Sequence, residues 1–217
     1  MTENLSKNER ALKAAQLLKK EHPNPVTELN HENELQLAVA VALSAQTTDK
    51  KVNEITSTLF KKYKTWEDFA NADLQEITND IKGVNFHKGK AERLIKMGQM
   101  MVTDFNGKLP RTIKELIKLP GVARKTANVI LQEIWDIAEG IVVDTHVTRV
   151  SNRLGLTTET NAVKIENELI KLLPKEYWRN FSGSLVLHGR YVCKARKPEC
   201  AKCMLNEICP SAFSFDA

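Results

Sequence analysis

The chain predicts an all-α protein. Apolar residues recur at three- and four-residue spacing from end to end, alternating strand patterns are nearly absent, and helix start and stop signals punctuate the sequence. At 217 residues it is long enough for one sizeable core, or for two small lobes sharing a boundary.

An amphipathic helix over about 8–21 comes first, and Pro23 and Pro25 separate it from the helical core. The apolar run Leu37–Leu43 has no legible period, but its three alanines favour a buried helix over a strand. Thr112-Ile113-Lys114-Glu115 has the form of a capping box, with Ile113, Leu116 and Ile117 as the buried stripe behind it. Pro120 and Gly121 stop that helix. The next starts near Arg124, carries Ala127, Ile130, Leu131 and Ile134 on one face, and ends just before Gly140. A helix after Asp144-Thr145 presents Val147, Val150 and Leu154 and stops at Gly155. Another presents Ala162, Ile165, Leu169 and Leu172 before Pro174. Connections this short make neighbouring helices pack antiparallel.

The formal charge of +5 permits a polyanionic partner without identifying one. The longest apolar run is far too short to span a bilayer, and Met1-Thr2-Glu3-Asn4 has neither the basic region nor the apolar run of a leader. The expectation is a soluble, cytoplasmic protein with no membrane partner, whose thiols stay reduced unless a metal holds them.

Cys193, Cys200, Cys203 and Cys209 are separated by six, two and five residues, and these are the four cysteines of the chain. Four thiolates in one short run suit an iron–sulfur cluster. They also satisfy a tetrahedral structural zinc, so spacing leaves the metal open. Two disulfides fit poorly without a secretory context.

Leu119-Pro120-Gly121-Val122-Ala123-Arg124-Lys125-Thr126-Ala127-Asn128 predicts a tight turn that opens a helix, with backbone N–H groups aimed outward. Such a helix start is able to take a phosphate, although an ordinary helix–turn–helix joint has the same pattern. Lys125 lies in the first turn beside Arg124, where the helix dipole and the neighbouring cation both disfavour a charged amine, and burial in a cleft adds to this. A neutral amine is what covalent chemistry at a carbonyl-type carbon requires; a surface lysine fits the position too. Asp144, after Ile141-Val142-Val143, is placed to cap the helix it precedes. A carboxylate there is also able to steer or deprotonate an amine and to stabilise a cationic sugar transition state.

The hairpin at Leu119–Asn128, Val143-Asp144-Thr145-His146, Leu187-His188-Gly189-Arg190-Tyr191 before the cysteines and Leu43-Ser44-Ala45-Gln46-Thr47-Thr48-Asp49 near the N-terminus together resemble the endonuclease III family of base-excision DNA repair enzymes. The resemblance covers most of the chain in the family's order. It implies a two-lobed, all-α helix–hairpin–helix DNA glycosylase fold with DNA in a cleft between the lobes. A six-helix barrel lobe would span 27–137, with the helix–hairpin–helix at about 112–137. An iron–sulfur cluster lobe would join 1–26 to 138–217. It implies a [4Fe-4S] cluster on Cys193, Cys200, Cys203 and Cys209, and a bifunctional DNA N-glycosylase and abasic-site lyase. This monomeric enzyme, nucleoid-associated if bacterial, would act on double-stranded DNA containing oxidized pyrimidines or abasic sites.

By that likeness the target base is flipped out, Lys125 attacks the anomeric carbon and forms a Schiff base, and Asp144 promotes base loss and activates the amine. Gln46 would fill the gap left by the flipped nucleotide, and Phe86 would wedge beside the opposite base. Without the family, Gln46 is a helix-end polar residue and Phe86 a core side chain. Gly121, Ala123, Arg124, Lys194, Arg196 and Lys197 would meet phosphates, and Lys82, Lys88, Lys90 and Arg93 either track phosphates or form a solvated face. Ala123 stands where the family hairpin has its second glycine, a small change if its φ is negative. Asn85 stands where a glycine is common, and asparagine tolerates the left-handed region. Adenine-mismatch glycosylases lack the lysine and add a C-terminal domain, for which this chain leaves no room after Cys209. A non-catalytic DNA-binding module with a structural metal, or a monofunctional glycosylase, are the alternatives.

Overall fold

Side-chain caps set most of the helix starts. In the computed structural model, which describes residues 5–215, Ser6 and Glu9 form a reciprocal capping box on α1 (Lys7–Glu21). Met1–Asn4, on which the expectation of no leader rests, and residues 216–217 lie outside the described residues. Asn33 caps α2 (Glu34–Ser44), Thr48 caps α3 (Asp49–Lys62), Thr65 caps α4 (Trp66–Ala70) and Asp73 caps α5 (Leu74–Asp80). The long α6 (His87–Thr103) has no side-chain cap. After it come α7 (Ile113–Leu116), α8 (Arg124–Trp135), α9 (Thr145–Arg153), α10 (Ala162–Leu172) and α11 (Trp178–Tyr191). Among the described residues the sole extended pairing is an isolated bridge between Lys82 and Val84, so the chain is all-α. No helix among them is long and apolar enough to cross a membrane.

The chain falls into two units. One contains the chain up to Val26 and from Asp136 onward; the other is Thr27–Trp135. In the first, Ala11, Ala14, Ala15 and Leu18 of α1 meet Val147 and Val150 of α9, Ile165 and Leu169 of α10, and Phe181 and Leu185 of α11. Leu205 and Ile208 extend that core to the cysteine loops. In the second, α2 lies against α3, α6 and α8. Seven of its eleven residues are buried, which is why its sequence shows no amphipathic period. The backbones of α4 and α6 approach so closely that a Cβ on Gly98 would lie 2.6 Å from the Ala70 amide nitrogen.

Two expectations need correction. Thr112 caps α7 by accepting from the Glu115 amide, and its hydroxyl donates to the Glu115 carboxylate, but α7 ends at Leu116, so Ile117 falls off the buried stripe and is 48% exposed. α8 ends at Trp135 rather than just before Gly140, because Asp136 turns into the left-handed region at φ 57°.

Candidate functional site

In the Thr27–Trp135 unit the hairpin turn takes the chain from α7 to α8. Gly121 adopts φ +88°, a conformation that disfavours any side chain, and the Arg93 side chain lies over it. Ala123 is not in the left-handed region, and its carbonyl accepts from the Ala127 amide at 2.9 Å to open α8. The backbone at this position therefore makes no conformational demand for glycine. Arg124 and Lys125 are exposed in the first turn of α8, rather than buried.

The same unit carries two projecting turns. Gln46 follows the end of α2, exposed, at φ 57°; Phe86 precedes α6, 69% exposed, at φ 59°. Phe86 is therefore not a core residue. The structure brings these turns together. The Asn85 side-chain amide donates to the Gln46 carbonyl, and the Asn85 backbone amide donates to Thr47 Oγ1 at 3.1 Å. Asn85 itself is not left-handed: Phe86 takes that conformation, and Asn85 acts through its amide instead.

Lys90 also departs from expectation. It is 5% exposed, and its ammonium donates to the carbonyls of Leu43 at 2.7 Å and Ala45 at 2.6 Å, so it is neither a phosphate tracker nor part of a solvated face. Burial, with Arg93 nearby, pushes its amine below the usual lysine range. Lys82, Lys88 and Arg93 remain exposed.

In the other unit, Asp144 caps α9. Its Oδ1 accepts from the amides of His146 and Val147, both at 2.8 Å, which leaves Oδ2 outside that pair of bonds. The half-buried carboxylate is thus held by the fold along one edge.

The four cysteines line one pocket with Arg153, Val192, Pro198, Asn206 and Phe215. All four are unpaired thiols. Arg153 Nη1 donates to Cys193 Sγ at 3.3 Å, and His188 Nε2 lies 3.4 Å from Cys203 Sγ. Burial pushes the Cys203 thiol up to about 11 and raises that of Cys209. Among the described residues no three His, Cys, Asp or Glu side chains close on the position of a single ion. Four thiols around one pocket, with the Arg153 guanidinium donating to one of the sulfurs, fit a polynuclear iron–sulfur group, in which each iron takes one thiolate.

Beside the pocket runs Lys194–Lys197. Arg153 holds its backbone, donating to the carbonyls of Lys194 at 2.7 Å and Ala195 at 3.0 Å. Arg196 and Lys197 are exposed, the latter at φ 51°, whereas Lys194 pairs with Glu199 at 2.6 Å. Sequence alone missed the roles of Asn85, Lys90 and Arg153. Lys90 had one signal, its place at helical spacing with the buried Leu94, Met97 and Met101.

Residues 39–175 match the HhH-GPD superfamily base excision DNA repair protein model. The chain is 45% identical to endonuclease III of Synechocystis sp. over 207 residues, 95% of this chain and 94% of that one. The chain belongs to the endonuclease III family. Endonuclease III of Escherichia coli K12 is 38% identical over 192 residues, 88% of this chain and 90% of its own length. A solved structure of a trapped endonuclease III–DNA covalent intermediate matches with a TM-score of 0.89 at 39% identity, covering 96% of this chain and 97% of that one. Membership in the endonuclease III family places the chain in base-excision repair.

Proposed function

We propose that this chain is a DNA glycosylase and abasic-site lyase that removes oxidized pyrimidines from double-stranded DNA, with Lys125 as nucleophile. The observation that carries this reading is the exposed amine of Lys125 in the first turn of α8, directly behind the Gly121 turn. That turn and the N-terminus of α8 offer backbone donors to a phosphate beside the reacting sugar. The likeness to an endonuclease III trapped covalently on DNA supports a covalent route.

Lys125 gives up a proton, and its nitrogen bonds to C1′ as the glycosidic bond breaks. The base leaves with that electron pair and takes up a proton. Opening of the C1′–O4′ bond gives the Schiff base, which acidifies C2′. Loss of a C2′ proton then expels the 3′ phosphate oxygen and cuts the strand. Asp144 supplies a fixed carboxylate that favours the cationic sugar and takes the amine proton. Gln46 and Phe86 occupy the space opened when the nucleotide leaves the stack.

Cys193, Cys200, Cys203 and Cys209 would hold a [4Fe-4S] cluster, whose contribution when bound is to cross-link the loop that carries Arg196 and Lys197. Neither bond cleavage requires an electron. Roughly four irons per chain and broad visible absorbance are expected, and one zinc in a colourless protein would overturn that assignment.

Borohydride reduces a Schiff base to a stable amine. With duplex DNA carrying an abasic site, the chain should be trapped as a covalent adduct, and Lys125→Ala should not. Undiminished trapping in Lys125→Ala would remove Lys125 as the nucleophile.

A further inference from the structure

Gln46 and Phe86 are both exposed and both left-handed, and the fold has to hold each in place. That region is strained for a residue with a side chain, so neither turn keeps its shape unaided. One short segment, Asn85–Lys90, grips both. Asn85 bonds the carbonyl of Gln46 through its side chain and the hydroxyl of Thr47 through its backbone. One helical turn later, Lys90 bonds the carbonyls on the α2 side of Gln46, from Leu43 and Ala45, and reaches Thr47 Oγ1 at 3.4 Å. The Lys90 amide in turn donates to the Phe86 carbonyl at 3.1 Å, which opens α6.

We infer that Asn85 is a positioning residue: it ties the Gln46 turn to the Phe86 turn so that both enter DNA as one preformed insert. This rests on the insertion roles proposed above for Gln46 and Phe86. Two independent turns would each have to be ordered when the helix opens. Tied turns are ordered beforehand, so less binding energy is spent on fixing them. Asn85 is itself exposed, and its amide reaches across 39 residues of sequence to a backbone carbonyl. Loss of that amide therefore loosens one turn against the other without opening a core.

The probe is a duplex with a tetrahydrofuran abasic analogue opposite 2-aminopurine. The analogue cannot form a Schiff base, so fluorescence reports only the unstacking of the opposite base. The unsubstituted protein should brighten the probe. Asn85→Ala should weaken that response about fivefold at equal protein, the scale of one lost hydrogen bond, with the thermal melting midpoint unchanged. Asn85→Asp, which keeps the shape and replaces the donor with an acceptor, should lose at least as much. Gln46→Ala and Phe86→Ala should each reduce the response, and adding Asn85→Ala to Phe86→Ala should cost less than it does alone. A full response in Asn85→Ala while Gln46→Ala and Phe86→Ala lose theirs overturns the tie. So does a loss that merely tracks a fall in melting midpoint. A full response in both Gln46→Ala and Phe86→Ala overturns the insertion reading itself, and the tie with it.

Discussion

The Lys90 ammonium donates to the Ala45 carbonyl at 2.6 Å, so a charge carried by α6 closes the C-terminal end of α2. The last carbonyls of a helix lack partners within it, and here Leu43 shares the same ammonium at 2.7 Å. Lys90→Met keeps the length of the stem but takes the donor from both carbonyls, that of Leu43 in a buried place and that of Ala45 in a part-buried one. Relief from burying a charge offsets part of that loss. A net destabilisation of about 2 kcal/mol is expected, read as a lower urea midpoint. An unchanged midpoint would show that the ammonium is structurally idle.

Tyr63 supplies a pH dependence. Burial first, and then the hydrogen bond it donates to Asp80 at 2.9 Å, push its phenol from the ordinary 10.0 up to about 12. An acid whose ionisation is raised by folding contributes stability below its unfolded value, and that contribution disappears as the pH climbs through the folded one. Stability should therefore fall between about pH 10 and about pH 12. Tyr63→Phe should flatten this fall and remove a late tyrosinate step, near pH 12, from the ultraviolet absorbance titration. A late step that persists unchanged in Tyr63→Phe would show that Tyr63 does not supply it.

Helices that begin on a polar cap and carry an apolar stripe were legible in sequence: α1, α9 and α10 begin within a residue or two of their signals. The start of α6 was hidden, because its N-cap is Phe86, a residue with no polar side chain to announce it. The capping-box pattern at Thr112 overstated α7, since the Pro120-Gly121 turn leaves little room for helix beyond Leu116. The cysteines were legible because metal chemistry dictates spacing. Asn85 and Lys90 were not, because each bonds a backbone carbonyl 39 to 47 residues away, and a carbonyl is the same in every residue. Lys90 sits where the pattern asks for an apolar side chain, and such a violation of pattern marked an internal partner.

Asp144 has a cap to supply as well as a charge, and the two are separable. Asparagine caps about as well as aspartate, so Asp144→Asn should leave melting nearly unchanged. Asp144→Ala should lose about 1 kcal/mol through the amides of His146 and Val147. Both should slow base excision by about 10²-fold or more if the charge acts on the sugar cation. Single-turnover excision of an oxidized pyrimidine, measured alongside melting, separates the effects. Wild-type excision in Asp144→Asn would reduce Asp144 to a cap.

The loop beside the cysteines makes a graded prediction about salt. Phosphate contacts release counterions, so each contact adds about 0.9 to the steepness of log affinity against log salt. Arg196 is exposed, and Arg153 fixes the backbone on its N-terminal side at the Lys194 and Ala195 carbonyls. Lys194 is already held by Glu199, whose carboxyl is pulled below its ordinary range by Lys194 first and by Lys202. Engaging a phosphate with Lys194 means breaking that pair, so part of its charge is spent within the chain. Arg196→Ala should flatten the slope by nearly one unit on undamaged and damaged duplex alike. Lys194→Ala should flatten it by less, and Glu199→Gln should steepen it by releasing Lys194. Equal slopes for Arg196→Ala and the unsubstituted chain, measured by fluorescence anisotropy across a salt series, would take this loop out of the DNA contact.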